Sequence, residues 1–589
     1  MPPDTNQGQV GELERLAPAR FSDLTAAEIK LLRAAPNGDL AVCGPSKENH
    51  DPANDPAKAD EWGKEREIRA DLIRWLCVDR QAREMVDPKG ILVAGAKILG
   101  TLDLSYARVP FGLNLWRCRL TGKTNLQATE IAELDFQGSW LDSIDADSVK
   151  AKGNVLFCRG FHATGQVRLL GAEIGGGLDC TGATFENPLQ SEVPGALIAD
   201  RAVVKGSVFL KDGFTAKGEV RLLNAEIGSN LDCSGGKFES PPQTGVAARG
   251  DAFSADGALV KGNIFLKQDF SAKGAVRLPA AQIWGDLTCS GGTFAGTLML
   301  ERASIKGTLW LDVADAAHVS LDLINASVDA LVDNTKSWPA PGNLALDGFV
   351  YRRFSAGAPN DAASRLDWLA RQAPFVPQPY RQLAKVLRDE GDDSGARRVL
   401  YKMECRRNSD EGHVWKPQAT HGCIRQSISY VSHHLKAPAV SVWNAALRLT
   451  IGYGYYPGRA LALLLLFVAL GWPLFRCGYF YWNIVPSEKE AYSDFKKDHR
   501  PPAHYERFCA FVYSLENSFP LVKLGQVDRW QPDPSPPEPH DPAKDSIRRM
   551  GRAFVSAGFL RIFRWFQILL GWVLATLFAA GVTGVVRKN

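Results

Sequence analysis

A chain of 589 residues is long enough for several domains, and its net charge of +4 is too balanced to argue for nucleic-acid binding. Eleven cysteines are spread singly with no CxxC pair, which argues for a reducing compartment and against a metal or redox role. The first thirty residues lack a basic start followed by an apolar run, so no signal peptide is expected and the bulk of the chain is expected in the cytosol.

The first twenty or so residues are polar and read as loose. Thr25-Ala-Ala-Glu28 matches a capping box and opens a short helix through Leu31 and Leu32 to about Ala35. Asn37 to Lys58 is rich in Pro, Asp and Asn and reads as a loop. Trp62 to about Met85 is expected to form one amphipathic helix, with Ile68, Leu72, Trp75 and Leu76 on one side. It directly precedes a repeat array, whose open end exposes unpaired strand edges and needs a cap. Residues 1–87 are therefore expected to form a helical capping region.

From about Gly153 to Leu311 the chain repeats itself. Gly153-Asn-Val-Leu-Phe157, Gly206-Ser-Val-Phe-Leu210 and Gly262-Asn-Ile-Phe-Leu266 open three copies, offset by about 53 and 56 residues. Each copy passes a Phe (Phe161, Phe214, Phe270), then a Val-Arg-Leu (Val167, Val220, Val276), and reaches Leu178-Asp-Cys180, Leu231-Asp-Cys233 or Leu287-Thr-Cys289. Within the copies, apolar-x-apolar triplets recur every ten to twelve residues, beginning at Leu102, Leu113, Leu134, Val155, Val167 and Leu178. The series resumes at Val208, Val220, Leu231, Ile264, Val276, Leu287, Leu298 and Leu309. Alternation of period two puts the outer residues of a triplet on one face of a short strand. The frequent glycines between triplets rule out long helices, since each costs about 1 kcal/mol against Ala. The pattern predicts coils of about 20 to 22 residues, each contributing two triplets, stacked as parallel strands around an apolar interior lined by these residues.

Ala96-Lys-Ile-Leu-Gly-Thr-Leu-Asp-Leu104 resembles a degenerate pentapeptide repeat. The resemblance covers about residues 88–350 and implies a right-handed parallel β-helix, a solenoid. Segments near Glu186–Pro194 and Glu239–Gly250 read as loops leaving the coil. Equivalent positions two coils apart lie about 10 Å from one another, too far for a disulfide, so Cys180, Cys233 and Cys289 read as small apolar core residues. Asp179 and Asp232 recur by repetition and read as a solvent-facing ladder.

Residues 337–360 turn Pro- and Gly-rich and close the repeat. Helices are expected over 362–371, 379–390 and 394–407. The last two form a hairpin across Gly391 that resembles one tetratricopeptide unit, in a helical linker domain of residues 351–435. Cys405, His413, His421, Cys423, His433 and His434 fit no standard zinc spacing and read as solvated side chains near a membrane surface.

Residues 436–589 read as a membrane domain. Spans are expected at about 460–482, with the aromatic exit Tyr479-Phe-Tyr-Trp482, and at 563–586, ending in Arg587-Lys-Asn589. Arg448, Arg459 and the basic tail favour the cytosolic side of the cell (inner) membrane for both termini. Ile547–Arg564 alternates Arg with apolar residues and reads as an interfacial approach helix. Between the spans, Phe508–Phe519 is too short to cross a bilayer and reads as a re-entrant or interfacial helix over about 506–521. The order of span, short helix, Gly-containing loop and span resembles the pore module of two-helix cation channels, which would make Leu521, Val522, Lys523, Leu524, Gly525 and Gln526 a pore loop. Lys523 and a lone Gly stand where a potassium filter carries stacked carbonyls from Thr-Val-Gly-Tyr-Gly. Thr450-Ile-Gly-Tyr-Gly454 spells that motif more closely but precedes the first span, and reads as a turn at the membrane surface.

From Arg69-Ala-Asp-Leu-Ile-Arg-Trp-Leu-Cys77 to Val582-Thr-Gly-Val-Val-Arg587 the chain also resembles bacterial proteins catalogued as membrane-associated oxidoreductases. No GxGxxG between strand and helix, GxxxxGK[ST], GxSxG or HExxH accompanies it, and Gly171-Ala-Glu-Ile-Gly-Gly-Gly177 lies within a coil. The residues themselves thus lean away from an enzyme and imply no catalytic, cofactor or metal site. The reading is a membrane-anchored scaffold with a lipid bilayer and a protein on the β-helix face as partners. The alternative is a divergent, homo-oligomeric ion channel, and the third is the oxidoreductase that the resemblance implies.

Overall fold

The computed structural model describes residues 5–46, 51–187, 195–240, 250–355, 357–411, 442–498, 500–519, 521–533 and 555–583. The chain divides into two compact units, Met1–Ala396 and Arg397–Asn589.

The first unit is a parallel β-solenoid of about eleven turns with helices before and after it. Each turn carries four short strands, not two, so the coil has four sides. Side 1 runs through the strands at Ile91, Leu113, Leu134, Val155, Leu178, Val208, Leu231, Ile264 and Leu287, each in parallel register with the next. Side 3 runs through Leu102, Thr124, Ile144, Val167, Leu197, Val220, Phe253, Val276, Leu298 and Leu321. Side 2 (Lys97, Arg119, Trp140, His162, Thr184, Thr215, Lys237, Ser271, Thr293) and side 4 (Arg108, Glu130, Lys150, Glu173, Val203, Glu226, Leu259, Gln282) lie between them. In the last three turns sides 4 and 1 merge into longer strands, Ser304–Trp310, Ser327–Val332 and Val350–Phe354. Most strands are only two residues long, so each turn contributes few ladder hydrogen bonds per side. Stability comes from summing nearest-neighbour stacking over many turns.

Leu102, Leu113, Leu134, Val155, Val167, Leu178, Val208, Val220, Leu231, Ile264, Val276, Leu287, Leu298 and Leu309 are all buried, and all lie on sides 1 and 3. Sides 2 and 4 add single inward residues that no triplet marks: Leu120, Leu141, Phe185 and Phe238 on one, Ile131, Ile174, Ile227 and Ile283 on the other. The recurring phenylalanines join into one internal stack, Phe157–Phe161–Phe185–Phe214–Phe238–Phe270–Phe294, with ring centroids 4.8 to 5.5 Å apart. Tilted rings at this spacing suit the aromatic quadrupole.

The Leu-Asp repetition also has a local cause. The carboxylates of Asp103, Asp145, Asp179 and Asp232 each accept the backbone N–H two residues on, turning the chain at a corner. At another corner side chains link successive turns: Asn230 Oδ1 accepts from Asn263 N (2.9 Å), Asn263 Oδ1 from Asp286 N, and Asp286 Oδ1 from Thr308 N (2.7 Å each). A Cβ on Gly285, in that corner, would come within 2.2 Å of Asn263 Oδ1 and 2.8 Å of Gly262 O, so only glycine fits. The segments 188–194 and 241–249, in the two expected loops, lie outside the described residues. Both fall between a strand of side 2 and the next strand of side 3.

The N-terminal cap departs from one long helix over 62–85. Glu67–Arg69 is a strand that extends side 2 by pairing with Lys97–Leu99, and Leu40–Val42 extends side 1 by pairing with Leu92–Ala94. The helix that follows is split at Asp79 into Ala70–Val78 and Arg80–Glu84. Asp79 breaks it by accepting the N–H groups of Gln81 and Ala82, as an N-cap does. The capping box at Thr25 is formed. Its Glu28 is fully buried, and besides Thr25 N the carboxylate accepts from Arg69 N (3.0 Å), Nε (2.7 Å) and Nη2 (2.7 Å). Burial alone would raise its pKa, but the hydrogen bonds from Arg69 and Thr25 hold it below the ordinary glutamate value. A lowered folded pKa contributes stability that is complete above the unfolded value, about 4.3, and is lost as pH falls through the folded one. Acid unfolding of wild type and Glu28→Gln is therefore expected to differ in slope below about pH 4.3, the variant losing less stability over that range.

At the other end Ala362–Ala370 lies over the last turns, and Gln378–Asp389 and Asp393–Glu411 follow. Arg365, with no exposed surface, reaches Asp333 bidentately (2.7 and 2.8 Å), and Trp338 Nε1 donates to the same carboxylate at 2.9 Å. Its guanidinium lies 3.9 Å from the Phe354 ring centroid.

The second unit contains two helices long and apolar enough to cross a membrane, Gly458–Phe480 and Ala557–Val582. Among the described residues its shorter helices include most of Asp393–Glu411, 442–450, Lys489–Asp498, Ala510–Ser518 and Gln526–Arg529, and Ile484–Pro486 pairs antiparallel with Trp530–Pro532. The described half of the expected approach helix, from Ala557 on, is continuous with the second long helix because no breaker interrupts it. Residues 547–554 lie outside the described residues.

Candidate functional site

On the solenoid, chemistry-bearing side chains are tied up structurally. Arg168, Arg221 and Arg277, the centres of the Val-Arg-Leu repeats, pair with Asp147, Asp200 and Asp256 of the preceding turn at 2.5 to 2.6 Å. Cys180 and Cys233 are fully buried, and burial raises their thiols well above the ordinary range; that of Cys289 is pushed up to about 12. Thiols held protonated in this way are poor nucleophiles. Gly171–Gly177 carries the strand Glu173–Ile174 and leads into Leu178–Asp179, so no helix follows for a phosphate to cap. Among the described residues no group of three His, Cys, Asp or Glu could hold a metal ion. Cys405 lies on the helix Asp393–Glu411, while His413, His421, Cys423, His433 and His434 lie outside the described residues.

The outer surface of side 1 is less polar than a solvated face needs. Leu156, Phe209, Phe265 and Trp310 point outward at every second turn, partly exposed, and Asp179, Asp232 and Thr288 alternate with them. Lys211 Nζ lies 5.3 Å from the Phe209 ring and Lys267 Nζ 4.6 Å from the Phe265 ring. Successive turns are about 4.8 Å apart, so these side chains form a row spaced at about 10 Å.

In the second unit a nine-residue helix, Ala510–Ser518, is wedged between the two long ones. It is shorter than 506–521 because Cys509 and Phe519 are extended. The wedge fits because both long helices present glycine to it. A Cβ on Gly471 would meet Ser514 Oγ at 2.3 Å, and one on Gly571 would meet Ser518 O at 2.4 Å. Gln567, buried on the second long helix, donates to Ser518 Oγ (2.7 Å), Ser514 Oγ (3.0 Å) and Phe467 O (3.1 Å), while Ser514 Oγ donates to Val468 O (3.0 Å). One glutamine thus joins all three helices through its amide nitrogen.

The loop after the wedge is held by Glu516, a residue that no motif marks. Its buried carboxylate accepts four consecutive backbone N–H groups, from Leu524 (3.1 Å), Gly525 (3.1 Å), Gln526 (2.9 Å) and Val527 (3.0 Å). Of the six candidate loop residues, Leu521 (88% exposed), Lys523 and Leu524 are exposed, Val522 and Gly525 are partly exposed, and Gln526 is buried. Gln526 anchors the loop by accepting from Cys509 N and donating to Arg507 O. Gly452–Gly454 is a tight turn just before the first long helix, with Tyr453 at φ +56° and its ring 6.2 Å from that of Tyr401.

The chain matches no protein-family model, no curated protein and no solved structure. None of the family resemblances drawn from the sequence is supported by those comparisons.

Proposed function

We propose that this chain is a membrane-anchored scaffold whose solenoid binds a partner protein along side 1. The observation that carries the reading is the row Leu156, Phe209, Phe265 and Trp310, repeated every second turn and flanked by carboxylates and lysines. An apolar row with a polar rim is the composition of a protein interface, and a rigid stack presents it with little ordering cost. The helices Gly458–Phe480 and Ala557–Val582 supply the anchor. Arg448, Arg459 and the Arg587-Lys588 tail favour a cytosolic position for both termini at the cell membrane. With a photo-crosslinking residue in the full chain, positions 209 and 265 are expected to capture the same protein, and position 217 on side 2 none. Equal capture from side 2, or no adduct from side 1, would contradict the reading.

A second reading rests on the wedge helix and the loop exposing Leu521, Lys523 and Leu524. Two spans cannot enclose a pore, so conduction would require several copies, with Lys523 in the pathway. Planar-bilayer recording tests it: current from purified protein that Lys523→Ala alters favours a channel, and no current at all excludes it.

A further inference from the structure

Just ahead of the first long helix, positive charge and aromatic rings gather. In the helix 442–450, Val442 (70% exposed), Trp443 (58%), Leu449 (71%) and Arg448 are all exposed. Leu447 on the same helix packs on the cluster of Ile451, Ala460, Leu464 and Leu574, which fixes it against the ends of both long helices. Arg459 Nη1 donates to Arg448 O at 3.3 Å, and its guanidinium lies 4.8 Å from the Tyr456 ring and 5.5 Å from the Tyr401 ring. Arg448 too lies beside Tyr401. Among the described residues neither arginine has a carboxylate within ion-pair distance. An anion that meets both cationic side chains would gain from each charge.

The surroundings say which anion. Exposed apolar side chains start two residues beyond Arg459, with Leu461, Leu465 and Leu466 on the helix that is long enough to span. The arginines therefore sit at the level of a lipid headgroup, where Trp443 and the tyrosines form an interfacial belt. A soluble anion would have no use for the open Val442, Trp443 and Leu449.

We infer that Arg448 and Arg459, with the Tyr401 hydroxyl, bind the phosphate of an anionic phospholipid whose acyl chains lie along Leu461 and Leu465. The inference rests on the first long helix spanning a bilayer and is independent of any partner on side 1. The test is thermal unfolding of the full chain in neutral detergent, with phosphatidylglycerol, phosphatidylcholine or inorganic phosphate added. Phosphatidylglycerol is expected to raise the midpoint by about 2 to 4 °C, and the other two to leave it in place. Arg448→Gln/Arg459→Gln is expected to lose that rise while remaining in the membrane fraction. Should the double variant fold poorly, the exposed Arg448→Gln alone is expected to at least halve the rise, and native mass spectrometry of wild type to show retained anionic lipid. An equal rise with phosphatidylcholine or inorganic phosphate, or a rise the variants keep, would overturn the assignment.

Discussion

Arg365→Ala is expected to lower the stability of the solenoid unit by about 3 to 5 kcal/mol, as breaking a fully buried ion pair does. The loss comes from what is left behind: Asp333, 3% exposed, would keep only Trp338 Nε1 as a charge-neutral donor. The rings of Phe354 and Trp368 would face the cavity left by the guanidinium. Replacing both partners, as in Asp333→Leu/Arg365→Met, is expected to recover most of the loss, because burial of the pair consumes much of its own attraction. Urea unfolding of the two singles and the double variant measures the coupling directly. Equal destabilisation by the double and by either single would contradict this account of the solenoid's end.

The second large effect is expected at Glu516. Glu516→Ala removes the acceptor of four backbone N–H groups, and each donor left unpaired away from water costs about 1 to 3 kcal/mol. Rehydration at the exposed Leu524 returns part of this, leaving about 3 kcal/mol. Glu516→Gln keeps one oxygen and hence two of the four bonds, so its effect should fall between wild type and alanine. Hydrogen exchange of the Leu524–Val527 amides reports on this locally. They are expected to exchange about a hundredfold faster in the alanine variant, while amides of Ala510–Ser518 change little. Unchanged protection of the loop would mean that Glu516 does not hold it.

How much of this could be read beforehand follows from how each feature is written in the chain. Sides 1 and 3 are visible because Leu-x-Leu triplets announce two inward residues each. Sides 2 and 4 are not, because Ile174 or Phe185 stands alone between polar neighbours and leaves no periodic signal. In the sequence Glu67–Arg69 reads as helical because Ile68 and Leu72 share a helix face, yet pairing with Lys97–Leu99 overrides that local preference. The order of long helix, short helix and long helix is plain in the hydropathy. The role of Glu516 is hidden, because its partners are backbone N–H groups that no side chain advertises. Gln567 shows only as a lone polar residue in an apolar run. Its partners Ser514 and Ser518 lie about fifty residues away and meet it only in the fold.

The proposed scaffold requires above all that the chain carrying the four-sided coil be anchored in a bilayer through Gly458–Phe480 and Ala557–Val582. Alkaline carbonate extraction of membranes from cells expressing the full chain, followed by flotation on a density gradient, tests it most directly. The chain is expected to float with the lipid after extraction. Quantitative release into the carbonate supernatant would contradict the account.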